Sequence, residues 1–258
     1  MSKNGSSESV QLKEMTWKTV QSAHFEVAIL PWGATEAHNY HLPYATDTVQ
    51  VEHIAVEAAE KATQLGASVV VLPAIPFGVH TQQRDISLNM NLNPSTQAMV
   101  LSDLIQSLED AGVGKLIVLN GHGGNDFRQM IRELQADSPV FLCAANWWTV
   151  VSGKDYFEHV GDHAGELETS VMMHIASDLV RPLSEAGSGT DRQFKISALR
   201  DRSVWAPREW SQVSHDTGVG DPSKSSSKKG ASFIAAVTDE LASFILELSN
   251  ADADDMYE

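Results

Sequence analysis

Glu36, His38, His41 and Asp47 crowd into one short segment, Glu36-Ala-His38-Asn-Tyr-His41-Leu-Pro43-Tyr-Ala-Thr-Asp47-Thr48. Two later segments share its character: Asn120-Gly-His122-Gly-Gly-Asn125 and His163-Ala-Gly-Glu166-Leu-Glu168-Thr-Ser170. Carboxylates and neutral imidazoles are the ligands that hold Zn, Mn or Fe. Three such clusters in one domain point to a metal site with two metals. Taken singly, each residue also has an ordinary reading. Asp47 opens a helical pattern, where a carboxylate can cap backbone N–H groups. His41 precedes Leu-Pro and fits a packed, hydrogen-bonded loop residue. Glu166 and Glu168 fall in a helix's first turn, where acids are mildly stabilising. The glycines around His122 fit a strand-to-helix turn, or a phosphate cradle before a helix. No GxGxxG or GxxxxGK[ST] pattern supports the cradle, and no GxSxG elbow presents a serine nucleophile.

The elements that must position these clusters alternate in period. Residues 25–30 read as a buried strand ended by Pro31-Trp-Gly33, so the first cluster lies just past a strand's carboxyl end. Val51, Ile54, Ala55, Ala58, Ala59, Ala62 and Leu65 then recur at helical spacing, with Gly66 as the stop. A strand over 68–73 leads into a long polar loop over 75–93, and a loop of that length in a compact domain is usually functional. His80, Gln82, Gln83 and Arg84 on it suit a pocket wall, a subunit contact or a plain surface loop. Asn93-Pro94 starts a helix to about 111, and a strand over 115–120 runs into the second cluster. A helix over 126–135 and a strand over 139–145 follow, with Trp147 and Trp148 read chiefly as core packing. The third cluster opens a helix carrying Leu167, Val171, Ile175 and Leu179, with His163 just before it. Residues 183–230 read as irregular, with Lys224, Lys228 and Lys229 a solvated run, and a last helix spans 231–248.

Strands alternating with helices predict an α/β fold whose mostly parallel sheet is covered on both faces. Such sheets bind ligands beyond the carboxyl ends of their strands, where all three clusters fall. The expected organisation is a polar lead-in over 1–15, a single domain over 16–250 and an acidic tail over 251–258. The 258 residues carry 34 acidic against 18 basic groups, a net charge of −16, so phosphate backbones are repelled and nucleic acid is excluded as a partner. Cys143 is the one cysteine, so no disulfide forms within the chain. It lies in an apolar run and reads as a small buried residue. No stretch of about 18 apolar residues spans a bilayer, and the first residues lack an apolar signal core. The expected location is the cytoplasm.

Pro31-Trp-Gly-Ala-Thr-Glu36-Ala-His38-Asn-Tyr-His41-Leu-Pro43 through Thr46-Asp47-Thr48, with the second and third clusters in order, resembles the creatininase (creatinine amidohydrolase) family over about residues 25–180. Gly220-Asp221-Pro222 before the final helix adds to the likeness. The resemblance implies a three-layer α/β/α fold, a homo-oligomer, often a hexamer, and a two-metal centre that hydrolyses C–N bonds of cyclic or linear amides in small molecules. Carried over by motif, Glu36, Asp47 and His122 bind one metal, His38 and Asp47 bind the other, and His163 stands over the substrate to transfer a proton. Members acting on creatinine carry a glutamate ligand two residues after the histidine of the second motif. Here that place is Gly124, and Glu168 is the candidate to replace it. Creatinine is therefore disfavoured, and relatives of this pattern act on formamides and other small ring compounds.

The implied cofactors are two divalent ions per chain, Zn, Mn or Fe. Two such ions roughly 3.5–4 Å apart share one water and bring its pKa toward neutrality, so that a hydroxide attacks the amide carbonyl. His163 then protonates the leaving nitrogen. The same motifs fit a metal-dependent hydrolase or isomerase of another small ring compound, such as a carbohydrate derivative. A non-catalytic descendant would have lost site residues, whereas Glu36, His38, Asp47, His122 and His163 are all present.

Overall fold

The computed structural model describes residues 9–253 and 255–257. β1 (Val27–Trp32), β2 (Val69–Val71), β3 (Lys115–Asn120) and β4 (Phe141–Asn146) form an all-parallel sheet in the order β2-β1-β3-β4. Ile29 pairs with Val71 on one side and Ile117 on the other, and Asn120 stands beside both Trp32 and Asn146. The helices are α1 (Trp17–Ser22), α2 (Thr46–Gln64), α3 (Pro94–Asp110), α4 (Arg128–Leu134), α5 (Glu166–Ile175), α6 (Ser197–Arg200), α7 (Trp210–Val213) and α8 (Ser227–Asn250).

The sheet is buried on both faces, which is why β1 and β3 read as continuous apolar runs rather than alternating ones. The two-residue period of a strand still divides their side chains. Val27, Ile29, Ile117 and Leu119 pack with Val51 and Ile54 of α2, Leu167 and Val171 of α5, and Phe233, Val237 and Leu241 of α8. Ala28, Leu30, Trp32, Leu116 and Val118 face the other way, onto Leu101, Ile105 and Leu108 of α3 and Met130 of α4. The result is the expected α/β/α sandwich. After β1 the chain uses α2 on one face to reach β2, then α3 on the opposite face to reach β3 on β1's other side. The connections therefore part between the carboxyl ends of β1 and β3, where ligands bind in open α/β sheets.

Three local readings change. α5 stops at Ile175, because Ala176 leaves helical backbone (φ −150°, ψ 53°). The Arg181 amide then donates to the His41 carbonyl, so Leu179 falls in a short 3₁₀ turn and is exposed. α8 begins earlier than residue 231, because the Ser226 side chain accepts from the Lys229 amide and caps it. Lys229 is consequently not part of a solvated run, for its ammonium pairs with the fully buried Glu166. Of the expected polar lead-in, residues 1–8 lie outside the described residues. Val10 is buried, and its carbonyl accepts from the Val71 amide at 2.9 Å.

Candidate metal centre

The segment leaving β1 carries Glu36 and His38, the first turn of α2 carries Asp47, and His122 follows β3 by two residues. His163 and Glu168 arrive with the start of α5. All six meet at the parting of the connections. Glu36, His38 and Asp47 are at most 1% exposed, His122 and His163 are buried, and the Glu168 side chain keeps 19%. Gly121 allows this approach, since a Cβ there would overlap the Asp47 carbonyl oxygen and the Val51 side chain. Asp47 does not cap α2, whose N-cap is Ala45; its carboxylate turns inward to His38 and His122.

The imidazoles of His38, His122 and His163 are each oriented by a backbone carbonyl. His38 donates from Nδ1 to the Glu36 oxygen at 3.1 Å, His122 from Nε2 to the Val79 oxygen at 3.1 Å, and His163 from Nε2 to the Ala37 oxygen at 2.8 Å. These bonds assign the tautomers and turn the other nitrogen of each ring, with its lone pair, into the cluster, as in metal-binding histidines held by outer hydrogen bonds. His38 Nε2 lies 3.0 Å from Asp47 Oδ1 and 3.9 Å from Glu168 Oε1. His122 Nδ1 lies 2.8 Å from Glu36 Oε1 and 3.0 Å from Asp47 Oδ2, and His163 Nδ1 lies 3.7 Å from Glu36 Oε1.

Neither Glu36 oxygen nor Asp47 Oδ2 has a hydrogen-bond partner among the described residues. Buried carboxylate oxygens that face lone pairs at about 3 Å are costly unless a cation or a proton lies between them. Protons supply part of the answer. Burial would lower the His38 pKa, but the charges of Asp47, Glu168 and Glu36 push it up to about 10. His122 is likewise driven up, its burial outweighed by Glu36 and Asp47. Burial would raise Glu36, yet His122, His163 and His38 hold it well below the usual carboxylate range. A divalent ion competes for the same lone pairs by displacing those protons. The donor set thus fits Zn, Mn or Fe, with nitrogen and oxygen ligands and no thiolate.

Two strained residues flank the cluster. Asn39, after His38, has φ 56°, and Ala164, after His163, has φ 50°. Non-glycine residues in this region are held by their surroundings. The Asn39 side chain bonds both ways to Gly187, and the Ala164 amide donates to Glu168 Oε2. The adjacent His38 and His163 rings sit 4.1 Å apart.

Gly124 cannot be replaced without disruption. A Cβ there would overlap His122 Nε2 and the Val79 carbonyl oxygen, so this backbone leaves no room for a glutamate. Glu168 lies on the His38 side of the cluster, with its Oε1 3.9 Å from His38 Nε2. Its burial, with Asp47, raises its carboxyl pKa against the pull of His38 and His163.

His80 joins the cluster, which the loop's composition alone left open. It is fully buried, its Nδ1 lies 3.4 Å from Glu36 Oε2, and its ring sits 4.5 Å from that of His122. Neither of its ring nitrogens has a hydrogen-bond partner among the described residues, and burial lowers its pKa to about 4. His41 and Glu166 take ordinary roles. His41 bonds Thr169 Oγ1 at 2.9 Å, while Glu166 accepts from the His159 amide and pairs with Lys229. Cys143 lies against the core with its thiol pKa raised to about 12 by burial, away from the reactive range. Trp147 packs on Phe233 in the core.

Above the cluster opens a cavity of about 520 Å³, floored by Glu36, Asp47, His122, His163 and Glu168. That size suits a small molecule.

Comparison with known proteins identifies the family. The Creatininase family model, described as creatinine amidohydrolase, matches residues 13–245. A mycofactocin precursor peptide peptidase of Mycobacterium ulcerans (strain Agy99) is 27% identical over 249 residues, covering 93% of this chain and 89% of that protein. A creatinine amidohydrolase of Pseudomonas putida is 27% identical over 199 residues, covering 67% and 75%. A crystal structure from Bacteroides fragilis NCTC 9343, of a candidate creatinine amidohydrolase, is 43% identical, covers 97% of this chain and 99% of that one, and superposes with a TM-score of 0.91. A creatininase mutant complexed with creatine shares the fold, with a TM-score of 0.78, 21% identity and coverage of 95% and 100%. Solved creatininases include forms described as Mn and as Zn–Zn. With the matched residues running from before β1 into α8, this chain belongs to the creatininase family.

Proposed function

We propose that the protein is a metal-dependent amidohydrolase that cleaves the C–N bond of a small cyclic amide or formamide. The observation that carries this reading is the convergence of inward-facing imidazole nitrogens and unbonded carboxylate oxygens on one cavity floor. Glu36, Asp47 and His122 would hold one ion, and His38, Asp47 and Glu168 the other. Asp47 suits the bridging place because its two oxygens face different histidines, Oδ1 toward His38 and Oδ2 toward His122. Two divalent ions there would supply an activated water near neutral pH and polarise the scissile carbonyl.

The chain's own groups do the rest. His163 is held by the Ala37 carbonyl at one nitrogen and by the edge of the Trp210 ring, 5.4 Å away. Its free Nδ1 is thereby aimed over the floor, where it would take a proton from the attacking water and pass it to the departing nitrogen, which is a poor leaving group unless protonated. Creatinine is not the preferred substrate, because the glutamate of the creatinine-cleaving members has no room at Gly124. The reading includes a cytoplasmic homo-oligomer. Among the described residues, no helix is long and apolar enough to cross a membrane.

A peptide amide is the second reading, favoured by the peptide peptidase that matches most of the chain. Chromatographic assay of the Zn- or Mn-loaded protein against formamides, cyclic amides, creatinine and short peptides separates the two. Turnover of a formamide or cyclic amide above creatinine is expected. Cleavage of peptides alone would move the assignment to a peptidase, and no C–N cleavage with metal bound would remove the amidohydrolase.

A further inference from the structure

The cavity mouth differs in charge from the chain as a whole. Residues 191–209 hold five bases (Arg192, Lys195, Arg200, Arg202 and Arg208) against three acids (Asp191, Asp201 and Glu209), in a protein of net charge −16. Arg200, Arg202 and Arg208 line the cavity, and among the described lining residues Asp162 is the one acid besides the floor's Glu36, Asp47 and Glu168. Asp201 is engaged with Ser203 through its amide and hydroxyl and is not among the lining residues.

Arg208 is built in rather than merely present. Its guanidinium lies 4.7 Å from the ring centre of Trp210, a buried residue whose Nε1 donates to the Thr217 carbonyl at 2.9 Å. The same ring also meets the His163 imidazole, with ring centres 5.4 Å apart. One fixed indole therefore sets the guanidinium relative to the imidazole that faces the floor, and stacking on an aromatic ring pre-orients an arginine for planar oxyanions. Asp162 takes one arm of Arg202 at 2.8 Å and one of Arg208 at 3.4 Å. The remaining N–H groups of both have no partner among the described residues. One carboxylate is shared by two guanidinium groups, so positive charge is left over beside the entrance.

We infer that the substrate of this site carries an anionic group, a carboxylate or a phosphate, received by Arg208 and Arg202 at the mouth while its amide lies on the floor. The inference rests on the amidohydrolase reading above, since two divalent ions would offset the three floor carboxylates and so relieve their repulsion of an anion. Guanidinium groups bind either oxyanion through paired charge-assisted hydrogen bonds.

The test uses ketones in which CH₂ replaces the amide N–H, so that no C–N bond can be cut: levulinate, 3-oxobutyl phosphate and the neutral 5-hydroxy-2-pentanone. Calorimetry on the Zn-loaded protein should find one of the anions bound about tenfold or more tighter than the neutral ketone. The stronger of the two identifies carboxylate or phosphate. The ratio of anion to neutral affinity should fall toward one in Arg208→Gln and Arg202→Gln, and recover in part in Arg208→Lys. A purely structural effect would weaken all ketones alike and leave the ratio unchanged, which overturns the inference. Equal affinities, no binding of any ketone, or a preference that survives both Gln variants also overturn it, the last because the ions alone would then hold the anion. Arginine-dependent anion binding in a protein that hydrolyses no amide would sink the proposed function and leave the mouth's role standing.

Discussion

The floor and the mouth of the cavity are built in opposite ways. The floor is compressed: His38 is fully buried, two backbone strains flank the histidines, and Gly121 and Gly124 each forbid a side chain. The mouth is open: Trp205 is 83% exposed and the Arg202 side chain 75%. The two-metal reaction proposed for the floor would need ligands fixed to a fraction of an ångström, and backbone and core supply that fixity. The exposed part of the mouth is carried on the segment between α5 and α8, where exchange of exposed side chains costs the fold little.

The largest test of that contrast is at Asp47. Asp47→Ala should lose both ions and lower kcat/KM by about a thousandfold or more, since several kcal/mol of charge stabilisation leaves with them. Unchanged metal content by elemental analysis would refute the bridging role. His163→Ala should keep its ions but lose about 10²–10⁴-fold in kcat; full turnover in that variant would remove His163 from the reaction.

Stability should divide along the same line. Trp147→Ala, in the core against Phe233, should cost about 3–5 kcal/mol by denaturant unfolding. Trp205→Ala, at the rim, should stay within about 0.5 kcal/mol. Equal losses would mean that the mouth is as fixed as the floor. Gly124→Glu should lower the melting temperature and bind no additional ion, because its Cβ strikes His122 and the Val79 carbonyl; a stable variant with greater creatinine turnover would show that the floor yields.

The smallest effect concerns protons. Burial, then the charge of His38, lowers the His41 pKa to about 4, below the roughly 6.5 of an unfolded chain. Its contribution to stability is whole above pH 6.5 and is lost as pH falls toward 4, at about 1.4 kcal/mol per pH unit. His41→Asn should flatten the unfolding free energy of the metal-free protein between pH 7 and 5. An unaltered slope would assign the acid sensitivity elsewhere.

Much of the floor was legible in the sequence. Glu36, His38, Asp47, His122, His163 and Glu168 lie in three short motifs, and β1 and β3 were readable because full burial leaves unbroken apolar runs. His80 was not assigned, since a histidine in a long polar loop reads alike whether the loop folds inward or outward. Leu179 kept the helical period beyond the end of α5, where period says nothing about the bend at Ala176. Lys229 looked solvated within a Ser/Lys run because its partner, Glu166, is far away in sequence. The excess of base over residues 191–209 is local in the sequence, but its place is not: only the fold brings residues 200–208 to the cavity.

The central claim, that the floor holds two divalent ions, is tested most directly by elemental analysis of protein purified without chelators and then offered Zn or Mn. The account predicts close to two ions per chain in the native protein and none in Asp47→Ala. No ion taken up by the native protein would contradict the metal centre, and a single ion would contradict the second ligand set of His38, Asp47 and Glu168.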